Sequence, residues 1–205
     1  MDNQINKFKE AIKDPKLNSN MNSEIPVVSE LKKWYSDFYE FGKEVLKYNK
    51  DYGIIPGVKK PILFKSGAEK IKKALNFEIE LLDCVKEIND YQKNYFDFTY
   101  KCIISSNSGV KLGICEGNAN SRESRFRYLF KPALKIPDKR TINFLKAEGK
   151  GKWVIIENRW VWYERVENDD IYSLKNSIQK VAQKRAFVGA ILMACGVSEF
   201  FSQEN

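Results

Sequence analysis

Histidine is absent from all 205 residues. That absence removes the imidazole on which nucleophilic triads and most zinc sites depend. Cysteine is scarce, and Cys84, Cys102, Cys115 and Cys195 share no CxxC spacing. They read as small buried hydrophobes of a reducing compartment. No apolar run approaches the ~18 residues of a membrane-spanning helix, so no membrane association is expected. The first two dozen residues lack the apolar segment of a secretory signal, and the expected location is the cytoplasm. No metal, cofactor or catalytic group is expected.

What the chain does have is 43% hydrophobic residues, enough for one compact core, and a net charge of +8. The charge is local. Residues 59–73 hold six lysines against Glu69, and residues 122–159 hold eleven Lys and Arg against four acids. The rest of the chain is net acidic. Positive charge gathered into patches is what a polyanion-binding surface requires.

Residues 1–25 are polar and are expected to form a flexible arm. Residues 26–205 are expected to form a single α+β domain, a small antiparallel sheet packed against helices. A first helix is expected from Pro26, because Leu31, Trp34, Phe38, Phe41, Val45 and Tyr48 recur at spacings of three and four. A second follows Ser66-Gly-Ala-Glu69, which has the pattern of a capping box, and runs to about Asn76. FEIELLDCVKEI, NYFDFTYKCII and VKLGICEG alternate as strands, with SSNSG as a turn. Gly113 and Gly117 interrupt the third strand and indicate a bulge or a close backbone approach. After a poorly patterned basic stretch, WVIIENRWVWYERV reads as a hairpin turning near Asn158-Arg159. The final helix carries the stripe Ile171, Leu174, Ile178, Val181, Val188, Leu192 and Cys195, and Gly196 stops it.

Three segments bear on chemistry. DYGIIPGVKKPILFKSGAE combines turn residues with lysines, so that Lys59, Lys60 and Lys65 are presented from a shaped backbone at the start of a helix carrying Lys70 and Lys73. In SRESRFR, Arg122, Arg125 and Arg127 crowd around Glu123, and at least one is expected to pair with it. On the last helix Lys180 and Lys184 lie one turn apart. Arg185 falls within the apolar stripe, where it is either paired internally or turned toward a nucleic-acid groove.

DYGIIPGVKKPILFKSGAEKI, GICEGNANSRESRFRY and NSIQKVAQKRAFVGAILMACGVSEFFSQ resemble three consecutive blocks of a phage and prophage protein family. That family resembles the single-strand annealing superfamily of Erf-type and Red-beta-type annealases and their eukaryotic recombination-mediator relative. The resemblance covers roughly residues 30–205. It implies single-stranded DNA as partner, strand annealing in recombination and repair as function, and assembly into a ring or filament. Many relatives carry a cysteine-rich zinc ribbon that this chain lacks, since residues 129–166 contain no cysteine. Trp153, Trp160, Trp162 and Tyr163 stand there instead, either filling core volume or, in the case of Trp160, Trp162 and Tyr163, stacking unpaired bases.

An annealing protein makes no covalent bond. It holds a strand by its phosphates and leaves the bases accessible, a task suited to lysines, arginines and backbone amides. The candidate DNA-binding residues are therefore Lys59, Lys60, Lys65, Lys70, Lys73, Arg122, Arg125, Arg127, Lys180, Lys184 and Arg185. Two rival readings accompany this one. Pro137-Asp138 followed by Glu148-Gly149-Lys150 matches the PD…ExK pattern of Mg²⁺-dependent nucleases. The aromatic tail VSEFFSQ suits docking, either to a host or phage protein or, through Phe200 and Phe201, to another copy of the chain.

Overall fold

The computed structural model describes residues 28–55, 58 and 60–202, so the expected N-terminal arm and Lys59 lie outside the described residues. The chain divides into two units, one ending at Val45 and one beginning at Leu46. In the first, helix α1 spans Val28–Val45. Its aromatic stripe is real: the rings of Trp34, Phe38 and Phe41 follow one another at 6.0 Å spacings.

The second unit is built from helices and three small antiparallel sheets, an α+β architecture. Its centre is the sheet β3 (Glu78–Asp90), β4 (Tyr95–Ser105) and β5 (Lys111–Asn120), with β4 in the middle. Helix α5, Lys175–Cys195, lies across one face. Alternation along β4 turns Phe96, Phe98, Cys102 and Ile104 toward this helix, and all four are fully buried.

The glycines of β5 explain why α5 lies so close. A Cβ on Gly113 would stand 2.4 Å from the Ala190 carbonyl, and one on Gly117 would stand 2.2 Å from the Ala186 nitrogen. Ala182, Ala186 and Ala190 form the facing stripe and are fully buried. Small residues on both sides bring the helix backbone down onto the strand. Both expectations for these glycines are met: α5 approaches closely over them, and the β4–β5 register shifts beside Gly113, between Ile104 and Ser105. At the far end Gly196 takes φ 65° and ends the helix as expected.

Around this core lie two smaller sheets. Strands β1 (Tyr52–Gly53) and β2 (Ile62–Leu63) pair with each other, and Ser202 of the C-terminal tail bridges to Ile62. Helix α2, Lys65–Ala74, follows directly. It begins two residues earlier than a Ser66 cap would place it: Phe64 is the cap, and Ser66 Oγ donates to Lys50 O at 2.6 Å instead. The last sheet has the order β6 (Tyr128–Pro132), β8 (Arg159–Glu167), β7 (Gly151–Ile156). Its hairpin turns at Glu157-Asn158, both at positive φ, one residue before the expected turn. A one-turn helix α3, Ser124–Arg127, precedes β6.

Helix α4, Lys139–Ala147, falls in the stretch that lacked pattern in the sequence. Asp138 caps it by accepting from the Arg140 and Thr141 amides, and Leu145 and the Trp162 ring both lie close to Gly151. Among the described residues no helix is long and apolar enough to cross a membrane.

Candidate nucleic-acid interface

The DYGIIPG segment is anchored by a buried acid. Asp51 is fully buried, and its carboxylate accepts from the Lys47 amide at 2.9 Å and from Lys70 Nζ at 2.6 Å. Burial pushes this carboxyl up, but the Lys70 ammonium and the Lys47 amide outweigh it and hold the group below its ordinary value. Lys70 is therefore committed to an internal pair, because removing it would leave a buried charge uncompensated. That corrects its assignment to DNA. Asp51 also backs onto the first turn of α2, with its carbonyl 2.3 Å from where a Gly67 Cβ would sit. Lys60 Nζ donates to Ser198 O at 2.9 Å and ties the loop to the C-terminal tail.

Fold topology gathers the other lysines. Lys65 and Lys72 stand seven residues apart on α2, two turns along one helix face, while Lys180 and Lys184 stand one turn apart on α5. These four line a single groove between α2, β3 and α5, about 580 Å³ in volume. Its floor is apolar, with Ile79 and Leu82 of β3 and Phe187 of α5. Its one acid, Glu69, reaches Lys65 at 3.5 Å, and both partners are more than half exposed. Such a pair contributes at most ~0.5 kcal/mol and exchanges readily for a phosphate. Lys72 is not among the candidate residues named above, although its spacing from Lys65 signals the shared face. Lys73 is exposed on α2 outside the groove lining.

One of the three arginines of SRESRFR pairs with Glu123, as expected. Arg125 contacts Glu123 at 3.0 Å, and Arg185 meets the same carboxylate at 2.7 and 3.0 Å. Arg185 also donates to the Asn118 carbonyl, and its side chain is 11% exposed. The even choice left by the sequence resolves to the internal pair, so Arg185 does not face a groove. Its stem lies over Gly117, and its head closes the β5 end of the helix–sheet interface. Burial pushes the Glu123 carboxyl up, yet Arg185, the Asn120 amide and Arg125 hold it below the ordinary value.

Arg127 pairs with Glu167 at 2.8 Å and lies over the Tyr128 ring, while Arg122 covers Tyr95 at 4.7 Å. Arg122 and Arg127 share a polar pocket of about 490 Å³ with Lys93 and Glu167. It is separate from the lysine groove by composition and by the elements that build it.

The three proposed stacking residues do not act together. Trp160 and Trp162 share a face of β8 while Tyr163 lies on the other. Trp162 is 1% exposed, with its Nε1 donating to Glu164 at 2.9 Å, so it is core and not a stacking platform. Trp160 is 65% exposed.

Both rival readings also meet the structure. Asp138 caps the start of α4 and Glu148 caps its end, with nine helical residues between them. At ~1.5 Å per residue the ten-residue step separates the two backbone positions by about 15 Å, too far for the two carboxylates to share a metal ion. Among the described residues no cluster of metal-ligating side chains occurs. In the tail, Phe201 is 8% exposed and packs edge-on against Tyr52 at 5.8 Å, while Ser202 N donates to Pro61 O at 2.8 Å. Phe201 therefore folds back on its own chain and is not offered to a partner. Compared with family models, curated proteins and solved structures, the chain matches none.

Proposed function

We propose that this chain is a non-enzymatic single-stranded DNA-binding protein that promotes strand annealing, as in the annealing superfamily it resembles. The observation that carries the reading is the groove in which Lys65, Lys72, Lys180 and Lys184 converge from two distant segments over an apolar floor. Four ammonium groups against one releasable acid grip phosphates without reading sequence. An apolar floor tolerates the faces of unpaired bases better than water does.

Annealing also calls for many nucleotides to be held at once, and repeating one subunit along a strand multiplies weak contacts. The sheet face opposite α5 supports self-association. Leu81, Ile103 and Ile114 sit across from one another on it, with Leu112 beside them. Leu81, Leu112 and Ile114 are each at least a third exposed, a patch better suited to an interface than to solvent.

The test is the triple variant Lys72→Ala, Lys180→Ala, Lys184→Ala, titrated with a single-stranded oligonucleotide over a range of salt. The log–log slope flattens by roughly 0.7 per lost contact, about 2 in all, and annealing of complementary strands slows. A slope equal to that of the parent protein refutes the groove as the binding site. Light scattering with and without DNA tests assembly, and a strictly monomeric protein on DNA refutes annealing by a ring or filament.

A further inference from the structure

The β6–β8–β7 sheet carries an aromatic surface that the lysine groove does not use. Trp162 anchors it. The indole lies buried beneath α4, where Gly151 leaves room: a Cβ there would stand 2.3 Å from the Trp162 ring. Trp153, directly across on β7, meets Trp162 edge-on with centroids 5.3 Å apart. Trp160 lies one step further along the same face, opposite Ile155. It is 65% exposed and Ile155 57%. Together Trp153, Trp160, Lys146 and Lys152 line a shallow open pocket.

Burial of Trp160 would be favourable, and no described element provides it. The positive-φ turn at Glu157-Asn158 sets the register that places Trp160 opposite Ile155. An uncovered indole at the edge of a packed aromatic pair is a ready platform for a flat ligand. Charge defines which ligand. Residues 131–159 carry eight Lys and Arg against three acids. Lys146 has no carboxylate partner among the described residues.

We infer that Trp160, supported by Trp153 and flanked by Lys146, is a second nucleic-acid site, one that stacks an unpaired base. The inference rests on the reading of the chain as a single-strand binder. Its chemistry differs from that of the groove: the groove holds phosphate and this site holds a base face. In a duplex the base faces are covered by their neighbours, so the site selects unpaired strand.

The experiment compares an oligothymidylate with an abasic phosphodiester of equal length, using Trp160→Ala, Trp160→Phe and the groove triple variant. Trp160→Ala weakens oligothymidylate binding by about five- to 150-fold and leaves the abasic oligomer unchanged. Trp160→Phe keeps most of the affinity, because a smaller ring still stacks. The groove variant weakens both ligands and flattens their salt dependence. If Trp160→Ala binds both ligands as the parent does, or weakens both equally, the stacking site is refuted while the groove stands. If the groove variant leaves the salt slope unchanged but Trp160→Ala still discriminates base from backbone, the groove fails and the stacking site stands. Protection of Trp160 from an aqueous quencher by anionic phospholipid vesicles, or by raised protein concentration alone, overturns the inference in favour of a membrane surface or a self-contact.

Discussion

Replacing Gly117 by alanine adds one methyl group at the tightest point of the helix–sheet interface. The new Cβ would lie 2.2 Å from the Ala186 nitrogen, 2.6 Å from the Ala182 carbonyl and 2.7 Å from the Arg185 Cβ. None of these is the loose end of a flexible side chain. Helix α5 must therefore lift by about 1 Å, and a gap of that size forfeits a quarter to a half of each dispersion contact it opens. The face it lifts away carries Ile178, Ala182, Ala186 and Ala190, all fully buried.

Overpacking ordinarily costs ~1–3 kcal/mol, and a backbone obstruction belongs at or above the upper end, about 3 kcal/mol. Urea unfolding followed by circular dichroism reads this as a lower midpoint at constant slope. Gly109→Ala is the control. Nothing lies within 4 Å of its Cβ position, but φ is +80°, so only backbone strain of roughly 1–2 kcal/mol applies. Adding Ala186→Gly to Gly117→Ala restores little, because the clash is with the Ala186 amide, which glycine keeps. A Gly117→Ala protein within 0.5 kcal/mol (roughly the noise of a surface substitution) refutes the argument. So does full rescue by Ala186→Gly.

Trp162→Ala costs about 3–5 kcal/mol in the same unfolding assay while Trp160→Ala changes stability by no more than ~0.5 kcal/mol, since one ring is core and the other is not. Glu123→Gln leaves Arg185 without its counter-charge at 11% exposure and costs about 3 kcal/mol, whereas Arg125→Ala, which leaves the Arg185 pair in place, costs much less. Asp51, Asp97 and Glu123 are all held below their ordinary values, against burial, by cationic and hydrogen-bonding partners. Their stabilisation is complete above about pH 4–5, where the unfolded carboxyls are ionised, and is lost as pH falls through the folded values; a stability flat from pH 5 to 2 refutes those pairings. Deleting residues 197–205 removes Val197 and Phe201 from the core and the Ser202 bonds to β2, so the variant loses stability without losing assembly, as gel filtration and thermal unfolding measure.

The elements that the sequence determined were those whose signal is local. The strands β3 to β5 and the glycine stop of α5 follow from chain geometry within a few residues, but of the expected stripe Ile171 and Leu174 precede the helix, and the residues that face the sheet over Gly113 and Gly117 are Ala182, Ala186 and Ala190. Helix α4 escaped because its nine residues interleave apolar side chains with lysine and arginine, and it packs on another element, where Leu145 lies over Gly151 of β7. The fate of the cations was equally invisible. Lys70 looks like Lys72 in sequence, yet one faces Asp51, nineteen positions away, and the other a groove. Arg185 and Lys184 are neighbours, but a turn of 100° per residue sends one to Glu123 across the sheet and the other to the groove. Period two put Trp160 and Trp162 on one face, and only the tertiary fold made one of them core and left the other exposed. Charge and periodicity are properties of the chain; whether a charged or aromatic side chain is satisfied, and so what it is free to bind, depends on partners that only folding brings within reach.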